Sequence, residues 1–308
     1  MNNELQSNAV QRYRQGKKAL ILNILINLSL ALFKGIIGFF ARSQAMIADA
    51  FHSFGDLLVN LVVLAGLKTA YKPADEGHPY GHGKAETLAQ NVVGLLIIAT
   101  GGYLIVSSFL SLRDELLEPP ASFALVAAVV SIVVKEFLFR YMWKLGKRVN
   151  SRALLANAWD HRSDVLSSTA ALVGIGGARA GAYMGYPPLY YLDPLAGVIV
   201  SVLIVYMGIG IMRDAGNELM DAMCSPETME EICAAAMEVP RVNEIHQIRA
   251  RSSGPCLLVE MDIGIDGGLS VEEGHKVAHE VENKLFQVRN DILTLTVHIG
   301  PSKRTENR

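Results

Sequence analysis

Residues 47–60 read IADAFHSFGDLLVN, and this apolar run contains Asp49, His52, Asp56 and Asn60, each three or four residues from the next. On a helix that spacing places all four near one face. A second stretch, NAWDHRSDVLSS, carries Asp160 and Asp164 four residues apart. Two helices presenting His-x-x-x-Asp and Asp-x-x-x-Asp can converge an imidazole and three carboxylates on one divalent cation. Imidazole nitrogen with carboxylate oxygen suits a borderline first-row metal such as Zn²⁺, Mn²⁺ or Fe²⁺. The plainer alternative is a set of interhelical hydrogen bonds that only holds a bundle together. Two matched pairs of ligand type weigh against it, since a carboxylate at mid-bilayer costs at least about 2.5–3.5 kcal/mol and needs compensation. The alternative keeps more weight for Asp49, for Asn60 and for His161, which lies about 100° around the helix from Asp160. Lys34, and Lys135 with Glu136, read as snorkelling or pairing groups rather than as ion carriers.

Two further groups have ligand character. In KPADEGHPYGHGKAE, Asp75, His78 and His82 can close around a metal, and the glycines let the loop fold back on itself. Solvated loop charges are the alternative. Of the eight histidines in the chain, four lie after residue 240: His246, His275, His279 and His298, with Asp262 among them. Ordinary surface or core histidines are an equally good account of these. No HExxH, GxSxG, Walker loop or dinucleotide fingerprint occurs, which weakens a hydrolase, kinase or oxidoreductase reading.

The elements that must position these groups follow from composition. The chain has 308 residues, 51% hydrophobic and only 19% charged, where a soluble protein carries about 25%. A net charge of −2 gives no global field to attract nucleic acid. Runs of roughly 20 apolar residues predict six membrane spans, at 19–41, 45–70, 88–112, 121–143, 155–181 and 192–213. Lys17, Lys18, Lys68, Lys72, Lys84, Arg140, Lys144 and Lys147 gather on one side of that arrangement, against Arg42, Arg113 and Arg179 on the other. The positive-inside rule therefore predicts cytoplasmic termini. The three cysteines form no CxxC pair and fit a reducing compartment. The polar opening MNNELQSNAVQRYRQGKK, with no cleavage signal after it, predicts a retained first span.

Three regions result: a cytoplasmic segment 1–18, a six-helix membrane domain 19–213, and a cytoplasmic domain 214–308. The last reads as α-β-β-α-β. Ser225-Pro226 opens a helix, VNEIHQIRAR and CLLVEMDIGID are strands joined across Ser-Gly-Pro, and Ser270 with Glu273 forms a capping box. Val259, Met261, Ile263 and Ile265 alternate onto one face, and Leu293, Leu295 and Val297 are expected to face inward on the last strand. A sheet this small leaves edges that favour self-association.

Together these features resemble the cation diffusion facilitator family of metal–proton antiporters. The likeness covers about residues 15 to 300 and is carried by ADAFHSFGD, KPADEGHPYGHGKAE, ANAWDHRSD and IHQIRARSSGP. The resemblance implies a membrane helical bundle followed by a ferredoxin-like, metallochaperone-like domain, and a secondary transporter rather than an enzyme. It places the transport site on His52, Asp56, Asp160 and Asp164, and a loop site on Asp75, His78 and His82. It places tail sites, shared between the two subunits of a homodimer, on His246, Asp262, His275 and His298, and an interlock on Lys84 with Asp221. Zinc-selective members usually have His where this chain has Asp160; the DHRSD pattern is similar to members associated with manganese and to a magnetosome branch associated with iron. Against that, manganese-type members more often have Asn or Asp where this chain has His52. The family's tail site often has a carboxylate where this chain has Gly300. The expected substrate is therefore Mn²⁺ or Fe²⁺ ahead of Zn²⁺, with Cd²⁺ and Co²⁺ as further candidates, exchanged for protons across a bacterial inner membrane. A metal-responsive scaffold or sensor acting through its tail is the alternative from another class.

Overall fold

The computed structural model describes residues 2–70, 72, 75–113, 117–149, 152–254 and 256–302. Six long helices come first: α1 (Asn2–Ala41), α2 (Gln44–Ala70), α3 (Lys84–Ser111), α4 (Phe123–Val149), α5 (Arg152–Met184) and α6 (Leu192–Leu219). A 3₁₀ turn at Pro187–Tyr191 leads into α6. Among the described residues, Ile21–Ala41, Lys84–Ser111 and Pro187–Leu219 are long and apolar enough to cross a membrane unaided. The other three helices carry the polar residues of interest: His52 and Asp56 on α2, Lys135 and Glu136 on α4, Asp160 and Asp164 on α5. The chain divides into two compact units, Met1–Leu61 with Val93–Gly210, and Val62–Val92 with Ile211–Arg308.

The first unit is apolar outside and polar or small inside. Leu25, Ile36, Phe39, Phe137, Leu166 and Val173 are exposed, whereas Lys34, Asp49, Lys135 and Asp164 are buried. Lipid solvates a large apolar side chain as well as a protein core does, so helices in a bilayer gain by meeting through small residues. The buried cluster Ala41, Ala45, Ala124, Ala127, Ala128, Ala171 and Ala196 fits that rule. On α5, a methyl group added to Gly174 would collide with Ala196 of α6, and one added to Gly177 would collide with Leu192. The start of α2 is fixed from α6. Ser43 Oγ accepts from the Met46 amide at 3.1 Å and donates to Asp193 at 2.6 Å, while the Gln44 amide donates to the other Asp193 oxygen at 2.8 Å. Asp193 thereby satisfies amide groups that a helix N-terminus leaves open.

In the second unit, α7 (Pro226–Met237) begins with Ser225 as N-cap and Pro226 in its first turn, and α8 (Val271–Val288) begins with the Ser270–Glu273 capping box. Strands β1 (Glu244–Ser253), β2 (Cys256–Ile265) and β3 (Ile292–Pro301) form one sheet in the order β1-β2-β3. β1 and β2 are antiparallel; Pro255 of their connection lies outside the described residues. β3 returns parallel to β2 through α8. Val259, Met261, Ile263 and Ile265 are all buried, and Ile232, Ala236, Val277, Val281 and Leu285 of the helices cover them. The last strand differs from expectation at one residue. Leu293 is 50% exposed, and the buried face is Ile292, then Leu295, Val297 and Ile299 in part. The cause is a register shift: Leu257 pairs with Ile292 but Leu258 pairs with Thr294, so Leu293 is the extra residue of a bulge.

Helix α6 runs to Leu219, beyond the expected span, and closes with a Schellman motif. The Ala222 amide donates to the Asn217 carbonyl at 3.0 Å and the Asp221 amide to the Glu218 carbonyl at 3.1 Å. Asp221 occupies the left-handed position (φ 59), where glycine is usual.

Candidate metal transport site

α2 and α5 bring three of the four expected transport ligands together. One donor atom each from His52, Asp56 and Asp164 lies within 4.8 Å of the other two. His52 Nε2 is 3.6 Å from Asp164 Oδ1. His52 Nδ1 and Asp56 Oδ2 are buried without a hydrogen-bond partner among the described residues. Buried donors and acceptors are normally satisfied, and a site built to bind an ion is one place where they are not. An imidazole and two carboxylates are a donor set that fits a divalent transition metal. Asp160, one turn earlier on α5, is exposed and stands outside this group.

Three polar neighbours complete the surroundings. Lys135 of α4, with its side chain 1% exposed, donates to Asp164 Oδ2 and, at 2.9 Å, to Asn27 Oδ1 of α1. Asn27 Nδ2 donates to Asn23 Oδ1 at 3.0 Å, and Asn23 Nδ2 to Asn157 Oδ1 at 2.8 Å. His161 is buried, with Nδ1 3.7 Å from Asp164 Oδ2 and neither ring nitrogen hydrogen-bonded among the described residues. Asp49 faces Lys34 of α1 at 2.7 Å and accepts from Ser167 at 2.9 Å and Ser168 at 2.8 Å. Lys34 also donates to Ser53 at 3.1 Å and Ser168 at 3.0 Å. Both lysines therefore pair inside the bundle rather than reach for its surface. The side chain of Asn60 lies outside the described residues.

The loop group also converges: Asp75, His78 and His82 have donor atoms within 4.8 Å of one another. Asp75 Oδ1 accepts from the His78 amide at 2.7 Å and lies 3.2 Å from His78 Nδ1; Asp75 Oδ2 is 3.4 Å from His82 Nε2. The amide hydrogen bond from His78 holds the Asp75 carboxyl below its ordinary value, so it stays ionised and ready for a cation. In the same unit, Lys84 Nζ meets Asp221 Oδ1 at 2.8 Å, and Arg251 Nη1 meets Asp221 Oδ2 at 2.8 Å. The hydrogen bond from Lys84, reinforced by Arg251, lowers the pKa of Asp221. Glu218 Oε1 accepts from Thr87 Oγ1 at 2.7 Å and from the Gly254 amide at 2.6 Å.

The tail residues are more dispersed. Asp262 and His298 are register partners on β2 and β3. His246 is the extra residue of a β1 bulge, and its ring lies over Gly264 with one edge toward Gly300. His275 lies on α8, where its Nε2 is 3.1 Å from that of His279. Among the described residues these four do not form a single cluster within one chain.

Comparison with known proteins gives the family of the chain. The cation efflux transmembrane domain profile matches residues 20–220, and the cation efflux protein cytoplasmic domain profile matches residues 224–302. The manganese efflux system protein MneP of Bacillus subtilis is 34% identical over 293 residues, 95% of this chain and 98% of that protein. The magnetosome protein MamB of Magnetospira sp. is 35% identical over 276 residues, 90% of this chain and 92% of that protein. Among solved structures, a variant of the MamM CTD in a cadmium form is 29% identical, covering 25% of this chain and 95% of that one with a TM-score of 0.24. The chain belongs to the cation diffusion facilitator family: it is an integral membrane protein, a divalent metal cation efflux transporter with a cytoplasmic domain of the dimer-forming type.

Proposed function

We propose that this protein exports a cytoplasmic divalent transition-metal ion in exchange for protons by alternating access. The observation that carries the reading is the meeting of His52, Asp56 and Asp164 between α2 and α5 with two buried donor atoms unpartnered. Asp160 is the fourth ligand and turns inward when the ion binds. Ligands must be deprotonated to coordinate, so the arriving metal displaces protons, and reprotonation on the far side helps to eject it. α1 to α6 are six spans with both flanking segments in the cytoplasm, the membrane is the bacterial inner membrane, and the regions divide at 1–18, 19–213 and 214–308.

The substrate is Mn²⁺ or Fe²⁺ ahead of Zn²⁺, with Cd²⁺ and Co²⁺ as weaker candidates. One nitrogen among three carboxylates favours harder ions than a two-histidine site would, and an ion held too tightly is released too slowly for transport. MneP, named for manganese efflux, is consistent with that order. Asp75, His78 and His82 form a secondary loop site, and Lys84 with Asp221 is an interlock. His246, Asp262, His275 and His298 serve metal sites completed by the second subunit of a homodimer, which accounts for their dispersal within one chain.

The test is uptake of Mn²⁺, Fe²⁺, Zn²⁺ and Cd²⁺ into proteoliposomes under an imposed pH gradient. Wild type should carry Mn²⁺ or Fe²⁺, Asp56→Ala should carry none, and Asp160→His should shift preference toward Zn²⁺. Equal flux in wild type and Asp56→Ala would overturn the assignment.

A further inference from the structure

Within the membrane unit, the transport ligands share their surroundings with a cation of the protein's own. Lys135 comes from α4, a helix that contributes no ligand, and its Nζ holds Asp164 Oδ2, one of the two oxygens that Asp164 can offer a metal. We propose that Lys135 is a tethered competitor for the transport site: its ammonium occupies Asp164 while the site is empty, yields that oxygen to the arriving metal, and returns to help expel it. The inference rests on the transport reading above and adds a residue to its machinery.

Three observations support it. First, the ammonium has a second acceptor, Asn27 Oδ1 at 2.9 Å, on α1, a helix that supplies none of the ligands. That acceptor is held in place by Asn27 donating to Asn23 and Asn23 donating to Asn157. Lys135 can therefore let go of Asp164 without becoming a bare buried cation. Second, Asp164 presents its two oxygens to different partners, Oδ1 to His52 and Oδ2 to Lys135, so only one of them must change hands. Third, the charges balance. Once deprotonated to hold the metal, Asp56, Asp160 and Asp164 would carry three negative charges, and a divalent cation with neutral His52 would leave one uncancelled in a medium of low dielectric. Lys135 cancels it. The buried Lys34–Asp49 pair is neutral by itself and leaves that sum unchanged. A lysine placed in this way weakens metal binding and speeds release, which is what a transporter needs and a storage site does not.

The experiment measures KM and kcat for uptake of Mn²⁺, Fe²⁺, Zn²⁺ and Cd²⁺ by the full-length protein in proteoliposomes, and compares variants on the ions that wild type carries. In Lys135→Met the competitor is gone, and KM should fall about tenfold or more while kcat falls with it. In Lys135→Arg the planar guanidinium can hold both Asp164 oxygens, and KM should rise by about tenfold. A lysine that only props up the bundle would not move KM in opposite directions in the two variants. Folded Lys135→Met with KM at or above the wild-type value overturns the proposal. If Lys135→Met does not fold, Lys135→Arg with KM at or below the wild-type value overturns it instead. Wild-type protein that carries none of the four metals would end the transport reading and this inference together, whereas normal wild-type uptake with either contrary KM ends this inference alone.

Discussion

Lys34 and Asp49 meet at 2.7 Å with neither side chain reaching solvent, and Ser53, Ser167 and Ser168 supply the remaining hydrogen bonds. Removing one member of such a pair strands the other. Lys34→Met should destabilise the protein by about 3–5 kcal/mol, and adding Asp49→Leu should recover most of that loss. Denaturant titration in detergent checks the sign: a double variant no more stable than Lys34→Met would show that the serines, not the charge pair, hold this layer.

Asp193 holds the start of α2 from 150 residues away in sequence, through Ser43 Oγ and the Gln44 amide. Asp193→Leu leaves the buried Ser43 hydroxyl and the half-buried Gln44 amide without this acceptor and should cost about 1–3 kcal/mol. Because α2 also carries His52 and Asp56, metal uptake should fall more than the folded fraction does. Uptake normalised to folded protein separates the two effects, and a normalised rate equal to wild type would show that α2 keeps its place without this cap.

Asp221 combines two opposed demands, a left-handed backbone and two ion pairs. Asp221→Asn tolerates the conformation but loses the charge; Asp221→Ala loses both and should be the less stable of the two. The pairs are more than a third exposed, so the charge alone should be worth less than about 1 kcal/mol. The folded pKa lies below the ordinary 3.8, so the contribution is present in full at neutral pH. It fades as the pH drops below that ordinary value and is gone once the pH passes under the folded pKa. Melting curves of wild type and Asp221→Asn should therefore differ at pH 7 and converge in strong acid.

Spacing carried much of this architecture. The i, i+4 pairs fixed which faces of α2 and α5 bear His52, Asp56 and Asp164, and Ser225 and Ser270 marked helix starts by local chemistry alone. What periodicity does not encode is which helix stands opposite a given face. Lys135 reads equally well as snorkelling or paired until α4 is seen beside α5, and Asp160 lies on the right helix but one turn outside the cluster. Arg251 as a second partner of Asp221, and Asp193 as a cap for Ser43, join residues 30 and 150 positions apart. Leu293 keeps its alternation in sequence, yet a single-residue register slip turns it outward. Such slips follow from the pairing strand and not from the strand's own pattern.

The Ser253–Gly254 turn and Asp221 take partners from Gly83, from the first turn of α3 and from the end of α6. Lys84 reaches Asp221, Thr87 and the Gly254 amide share Glu218, and Gly83 lies so close that a methyl on it would strike the Ser253 carbonyl. A tail excised at residue 214 would keep its hydrophobic interior around Val259 and Val281. It would also leave part of its own surface behind in the membrane fragment, with the Asp221–Arg251 pair short of its lysine and the turn uncovered. Cutting the polypeptide where the strands and helices change character divides a body that the chain assembles from both sides of the cut.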